Sequence, residues 1–147
     1  MAFSLDIGPM KGSEVGFVLS AWKKSLRSSP ANANLPSKVF FERANTEVDE
    51  ILNGATVLVA RDAENPTFAY GSIVFETRGD DVCVHWVSVR SGFRRQGIAR
   101  RLLAAALRGT VDGGLQIHTA KTRFDGVAER YGFTHMNCYR AMREFRK

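Results

Sequence analysis

Helical spacing dominates the first third of the chain. Apolar residues recur every three to four positions after Ser13, which predicts a helix that runs to about Arg27. Pro36 is well suited to open a second helix, and the pair Asn53-Gly54 is well suited to end it. The weak alternation of Phe3–Ile7 predicts a short strand before both helices.

The middle of the chain changes to the two-residue period of strands. Three runs rich in β-branched residues, Ala55–Ala60, Phe68–Thr77 and Val82–Val89, are joined by short turns, which favours an antiparallel meander. The third run is almost continuously apolar, and this indicates burial on both faces beneath helices. Strict alternation along that run predicts a shared face for four side chains: Cys83, His85, Val87 and Val89.

The remainder alternates between helix and strand. A polar, basic loop, Arg90–Gln96, precedes an amphipathic helix that begins near Ile98 and ends by Gly109. Three further elements are predicted: a strand at Leu115–Thr119, a short helix at Asp125–Tyr131 and a final strand at Asn137–Phe145.

Length and composition fit one domain spanning residues 1–147. The chain has 147 residues, 44% of them hydrophobic, which is enough to bury a core of its own. No apolar run approaches the ~20 residues of a membrane helix, and no signal peptide precedes Phe3, so we expect a cytoplasmic protein. Cys83 and Cys138 form no CxxC motif, which fits a reducing compartment. No histidine has a partner at metal-ligand spacing, so no metal site is predicted.

Charge adds one constraint. Lys and Arg number 21 against 15 Asp and Glu, and the formal net charge of +6 favours anionic ligands. Four of the 21 basic residues lie within eight positions of the strand, loop and helix of Val87–Leu103, where Gly97 allows close backbone approach at a helix N-terminus. The free N–H groups and dipole there favour an anion, and Arg94, Arg95 and Arg100 add positive charge. The motif therefore predicts a diphosphate site; the alternative is a solvated basic helix start that binds nothing.

This segment resembles the GNAT acyltransferases, the Gcn5-related N-acetyltransferases. The run Arg94-Arg95-Gln96-Gly97-Ile98-Ala99 matches their signature, Arg/Gln-x-x-Gly-x-Gly/Ala, directly after a Val-x-Val strand. Downstream, Tyr131-Gly132-Phe133 is similar to the closing Gly-Phe of the family. The resemblance covers about residues 55 to 135. It implies an α+β fold with a mixed, mostly antiparallel central sheet flanked by helices on both faces.

The resemblance also implies an acyl-CoA co-substrate, most simply acetyl-CoA, and direct attack of an amine on its thioester. The strand backbone would pair with the pantetheine arm, and the loop amides would bind the pyrophosphate. The CoA-binding residues implied are Val87, Ser88, Val89, Arg94, Arg95, Gln96, Gly97, Ile98, Ala99 and Arg100.

Catalytic roles are less directly implied. GNAT enzymes often carry a Glu base on or near the third meander strand; this strand has none, so His85 is the candidate base. A buried, hydrogen-bonded core histidine is an equally open interpretation. Glu76 is the second candidate base, and a solvated strand end beside Arg78 is its alternative. Tyr131 is the candidate acid for the thiolate, but the usual tyrosine position is Ala128 here, so a packing role stays open.

Three functions remain open. The first is an N-acetyltransferase acting on a small-molecule or protein amine. The second is an enzyme that modifies DNA or a nucleic-acid amine, because Ser20–Arg27 and His85–Val89 resemble GNAT-like proteins of phages and prophages similar to the Mom type. The third is a non-catalytic CoA-binding module. Only fourteen residues follow Phe133, so we expect part of the acceptor site to be reduced or supplied by a partner chain, as in a homodimer.

Overall fold

The computed structural model describes residues 4–27, 32, 34–107, 114–119 and 132–146. A short 3-10 turn, Gly12–Glu14, precedes the first helix. The helices are α1 (Val15–Arg27), α2 (Ser37–Leu52), α3 (Ile98–Leu107) and α4 (Cys138–Phe145). The strands are β1 (Leu5–Pro9), β2 (Thr56–Asp62), β3 (Ala69–Arg78), β4 (Asp81–Val89), β5 (Gln116–His118) and β6 (Thr134–His135).

The strands form one six-stranded sheet in the order β1-β2-β3-β4-β5-β6. Strands β1 to β4 pair antiparallel, whereas β5 is parallel to β4, and β6 is parallel to β5. A parallel neighbour needs a crossover connection, and α3 lies in the segment between β4 and β5. The predicted α+β architecture, with a mixed and mostly antiparallel sheet, is confirmed.

Apolar side chains cover both faces of the sheet. On one face Leu102 and Ala106 of α3 pack in a cluster with Ile73 of β3. On the other face α1 and α2 pack against β2 to β4, and the rings of Trp22 and Trp86 stack with centroids 5.7 Å apart. Strand β4 is therefore buried from both sides, as its continuous apolar pattern predicts.

The predicted final strand at Asn137–Phe145 is wrong, because this segment forms α4. The Asn137 side chain accepts hydrogen bonds from the backbone N–H groups of Tyr139 and Arg140, which is a helix N-cap. Cys138, Ala141 and Met142 are buried at helical spacing. The same local signals are visible in the sequence. The predicted helix at Asp125–Tyr131 lies outside the described residues.

A β-bulge interrupts the pairing of β3 with β4. Val74 lies opposite Trp86, but the next residue, Phe75, lies opposite Val84. His85 is therefore one extra residue on β4 with no partner on β3. Such a bulge disrupts the ladder locally and reverses which side chains face each side beyond it.

The bulge overturns the predicted shared face of β4. Val87 and Val89 pack with Val84 in the α3-side cluster, whereas Cys83 packs with Ala141 of α4 on the opposite face. Alternation holds on each side of the bulge but not across it. Two residues that are four positions apart, Cys83 and Val87, consequently face opposite layers.

A buried ion pair fastens the N-terminal elements to the sheet. Arg61 of β2 is 2% exposed and donates through Nε and Nη2 to the two carboxylate oxygens of Glu14, with Nη2 to Oε1 at 2.7 Å. Arg61 also donates to the carbonyl of Pro9 at the end of β1. The hydrogen bonds from Arg61 lower the pKa of Glu14, against the opposing effect of burial.

We predict that Glu14→Gln lowers the free energy of unfolding by roughly 3 kcal/mol, because it leaves a buried guanidinium without its counter-charge. Urea denaturation measures this loss. Because the folded-state pKa of Glu14 is lowered, the ionised carboxylate stabilises the fold above about pH 4.5, and this stabilisation is lost as the pH falls. The free energies of unfolding of the two proteins therefore converge in acid.

The matched control is Asp6→Asn. The Asp6 carboxylate lies 3.7 Å from Arg61 Nη1, but its side chain is 57% exposed. A solvent-screened pair contributes at most about 1 kcal/mol. Equal losses in the two variants would contradict the assignment of Glu14 as the structural counter-ion.

Candidate active site

Among the described residues, β5 pairs with one end of β4. Val82–Val84 lies beside Gln116–His118, and the Thr119 N–H donates to the Val84 carbonyl at 2.9 Å. Beyond this point β4 continues to Val89 with β3 on one side. No strand among the described residues lies along the other edge of 85–89. That edge is available for a ligand segment running beside the strand.

The loop after β4 presents an open helix N-terminus. Arg95 and Gly97 both adopt left-handed backbone conformations, with φ of 63° and 85°. The Gly97 carbonyl accepts the Arg101 N–H at 3.1 Å, so Gly97 lies directly before the first turn of α3. A Cβ placed on Gly97 would meet nothing within 4 Å. Open space before unpaired helix N–H groups suits a phosphate.

Most side chains of the predicted diphosphate loop are exposed. Arg94, Arg95, Gln96 and Arg100 face solvent, and Arg94 Nε also donates to the Val89 carbonyl at 3.1 Å. The side chain of Ile98, in contrast, is buried in the α3 core. Ala99 is half-buried beside that core. Any contribution of Ile98 to a ligand therefore comes from its backbone, while the arginines supply the charge.

The two candidate bases lie in direct contact. His85 Nε2 is 2.6 Å from Glu76 Oε2, and His85 Nδ1 is 2.7 Å from Thr119 Oγ1. His85 is 3% exposed and Glu76 is 5% exposed. The interpretation of Glu76 as a solvated strand end is therefore wrong, and that of His85 as a buried, hydrogen-bonded histidine is correct. The bulge supplies the extra residue that places the imidazole between β3 and β5.

Arg146 completes the arrangement from the end of α4. Its Nε and Nη2 donate to the two Glu76 oxygens at 2.8 and 3.0 Å. The same guanidinium donates to the carbonyls of Glu50 and Ile51 in the last turn of α2, at 2.9 and 2.8 Å. No local pattern in the sequence indicates a partner for this arginine. We use the name relay cluster for Glu76, His85, Thr119 and Arg146.

Charge fixes the direction of the hydrogen bonds. Burial raises the pKa of Glu76, but the hydrogen bonds from His85 and Arg146 outweigh it, and the net shift is downward. Glu76 is therefore an ionised acceptor at neutral pH, so a neutral His85 carries its proton on Nε2 and donates it. Nδ1 then accepts from the Thr119 hydroxyl. Both ring nitrogens are occupied, and the imidazole is enclosed rather than open to a bound amine.

The cysteines do not supply a nucleophile. Cys83 Sγ lies 3.9 Å from His85 Nε2, but burial raises the pKa of this thiol to about 12, and it stays protonated. The Cys138 thiol donates to Glu47 Oε1 at 3.2 Å. Both are free and buried, and both act as small packing residues.

Three other expectations concern an acid, a metal site and a membrane helix. Tyr131, the candidate acid, lies outside the described residues. Within the described ranges no group of three His, Cys, Asp or Glu side chains is arranged to hold a metal ion. Among the helices described, none is long and apolar enough to cross a membrane.

A family model described as an acetyltransferase (GNAT) domain matches residues 53–135. The chain belongs to the GNAT acetyltransferase family. The matched segment runs from the end of α2 to β6, and it contains the free edge of β4, the loop around Gly97 and three members of the relay cluster. No curated protein matches the sequence.

Solved structures show the same fold at low sequence identity. A putative acetyl transferase from Pyrococcus furiosus aligns with a TM-score of 0.67 and 14% identity, over 88% of this chain and 93% of that one. The AAC(6')-Iy structure with a bisubstrate analogue aligns with a TM-score of 0.50 and 18% identity, over 88% of this chain and 90% of that one. YjaB from Escherichia coli aligns with a TM-score of 0.50 and 18% identity, over 72% of this chain and 66% of that one.

We predict that Arg146→Gln lowers the free energy of unfolding by roughly 1–3 kcal/mol, because Glu76 loses two charge-assisted hydrogen bonds in a buried position. The pKa of Glu76 then rises toward its ordinary value. A carboxylate with a lowered pKa stabilises the fold above about pH 4.5 and stabilises it less as the pH falls. The difference in free energy of unfolding between the two proteins therefore closes in acid.

Denaturation as a function of pH measures this difference, and Arg143→Gln is the control. Arg143 is an exposed arginine on the same helix. A pH-independent gap, or an equal effect of both substitutions, would contradict the contact of Arg146 with Glu76 as the cause.

Proposed function

We propose that this protein is an N-acetyltransferase that transfers the acetyl group of acetyl-CoA to an amine by direct attack. The observation that carries the proposal is the edge of β4 at residues 85–89, which pairs with no described strand and leads into a loop ending at an open helix N-terminus. The GNAT family membership of the chain supports the same activity. The two free, buried cysteines fit a reducing compartment, so a cytoplasmic location is part of the proposal.

CoA fits these surfaces by its chemistry. Its pantetheine arm carries amide groups, which pair with an exposed strand edge as an added strand does. In the proposal, Val87, Ser88 and Val89 supply that backbone edge. The pyrophosphate then meets the N-terminus of α3, where Gly97 leaves room for it. The exposed guanidinium groups of Arg94, Arg95 and Arg100 add charge complementarity.

We propose an amine as the acetyl acceptor. AAC(6')-Iy was solved with CoA-S-monomethyl-acetylneamine, a bisubstrate analogue, so aminoglycosides are sensible members of a first panel of amines. A nucleic-acid amine is the second candidate, favoured by the net charge of +6. That candidate includes the modification of DNA by a phage-type enzyme. Its affinity for DNA would fall steeply as salt rises.

We predict that Gly97→Val weakens acetyl-CoA binding by about tenfold or more, with the fold retained. A β-branched side chain is strained at a φ of 85° and fills the space offered to the pyrophosphate. Isothermal titration calorimetry measures the affinity.

Gly79→Val is the matched control for backbone strain. Gly79 also has a positive φ, of 60°, and open space around its Cβ position, but it lies in the turn between β3 and β4. Equal weakening by both substitutions would show that strain, not the loss of a phosphate site, is the cause.

We predict that the protein acetylates at least one amine in a panel of small primary amines, aminoglycosides, peptides and nucleotides. Release of the CoA thiol reports turnover, and mass spectrometry identifies the acetylated product. Tight CoA binding with no product from any amine would favour the non-catalytic CoA-binding module. Failure to bind acetyl-CoA at all would overturn the proposal.

A further inference from the structure

The relay cluster is a chain of hydrogen bonds with charged groups at one end and a neutral hydroxyl at the other. Arg146 and Glu76 lie at one end, His85 lies in the middle, and the Thr119 hydroxyl is the last group. The backbone of Thr119 makes the final contact between β5 and β4, through the Val84 carbonyl. The hydroxyl therefore lies at the last described contact between these two strands, next to the proposed path of the pantetheine arm.

We propose that Thr119 is a catalytic residue whose hydroxyl exchanges protons with the reacting nitrogen and sulfur, while His85 and Glu76 act through it as positioning residues. This inference rests on the proposed function and deepens it. It reassigns the role expected for His85, which does not reach the amine itself. It also supplies a proton donor for the thiolate that does not depend on Tyr131.

The hydrogen-bonding capacity of Thr119 suits this role. A hydroxyl donates one hydrogen bond and accepts two. The Thr119 proton goes to His85 Nδ1, and no described residue donates to its oxygen. Thr119 is 5% exposed, so bulk water has little access to the hydroxyl. A relay shielded in this way exchanges protons with a bound substrate in preference to solvent.

The protons balance over one turnover. The amine enters as the free base, and its nitrogen attacks the thioester carbon; the C–N bond forms, and the carbonyl oxygen takes the electron pair. The cationic nitrogen gives a proton to Thr119 Oγ1 as the Thr119 proton moves to His85 Nδ1. When the carbonyl re-forms, the C–S bond breaks with its electrons on sulfur. Thr119 then protonates the thiolate and recovers a proton from His85.

The surroundings favour this transient imidazolium. Glu76 of β3 faces His85 Nε2 as a carboxylate, and Arg146 beyond α4 holds that carboxylate in place. Cys83 of β4 is the other titratable group near the ring, and its thiol stays neutral. On its other side the ring meets the Thr119 hydroxyl, directly after β5. The imidazolium is therefore formed beside one negative charge and stabilised by it.

The decisive variant is Thr119→Val, which keeps the side-chain shape and removes the hydroxyl. We expect kcat to fall by about a hundredfold or more, the usual scale of acid–base catalysis, with little change in acetyl-CoA affinity. Thr119→Ser retains the hydroxyl and should recover most of the activity.

Ser72→Ala is the matched control. Ser72 is a buried β3 hydroxyl, 1% exposed, and its Oγ has no hydrogen-bond partner in the described structure. Its loss should leave kcat unchanged. If Thr119→Val keeps wild-type kcat, or loses no more than Ser72→Ala, the inference is overturned while the acetyltransferase proposal stands. A wild-type protein that acetylates no amine overturns both.

A second measurement tests the arrangement without turnover. ¹⁵N NMR of the histidine rings, with His85 assigned from a His85→Gln sample, reports which ring nitrogen carries the proton. We expect the proton on Nε2 and a hydrogen-bonded, unprotonated Nδ1 whose signal shifts in Thr119→Val. A proton on Nδ1 in the neutral ring would overturn the direction of the relay and the inference with it.

Discussion

The hydrogen bonds of one buried imidazole connect most parts of this structure. The bulge at His85 adds one residue to β4, and the imidazole it carries cannot be left unpaired in the interior. Glu76 on β3 and Thr119 after β5 satisfy its two nitrogens. Arg146 then ties Glu76 to the last turn of α2. A local irregularity in one strand thereby joins three strands and two helices.

The same region sets the shape of the candidate site. The described pairing of β4 with β5 reaches Val84 and Thr119, next to the bulge, and α3 lies between the two parallel strands in the sequence. This topology leaves one edge of β4 without a described neighbour and aims that strand at the N-terminus of α3. In the proposed site, backbone groups, more than side chains, contact the amides and phosphates of CoA. The relay cluster then lies at the point where the thioester is expected.

The sequence predicted what depends on local pattern. Period, turns and glycines located the helices α1 to α3 and the strands β1 to β5, and the motif around Gly97 located the open helix N-terminus. The bulge was missed because an apolar strand with one histidine has the same pattern with or without an extra residue. The Asn137 cap was a local signal that the interpretation overlooked. Arg146 and Glu76 are 70 positions apart, and only the fold brings them together.

The central claim is that CoA lies along the free edge of β4 with its pyrophosphate at the start of α3. The most direct test is a titration of the ¹⁵N-labelled protein with CoA, followed by amide chemical shifts. The account predicts the largest changes at Val87–Val89 and at Gly97–Arg100, with smaller changes at β1 and α2. Changes centred on any other surface, or none at saturating CoA, would contradict it.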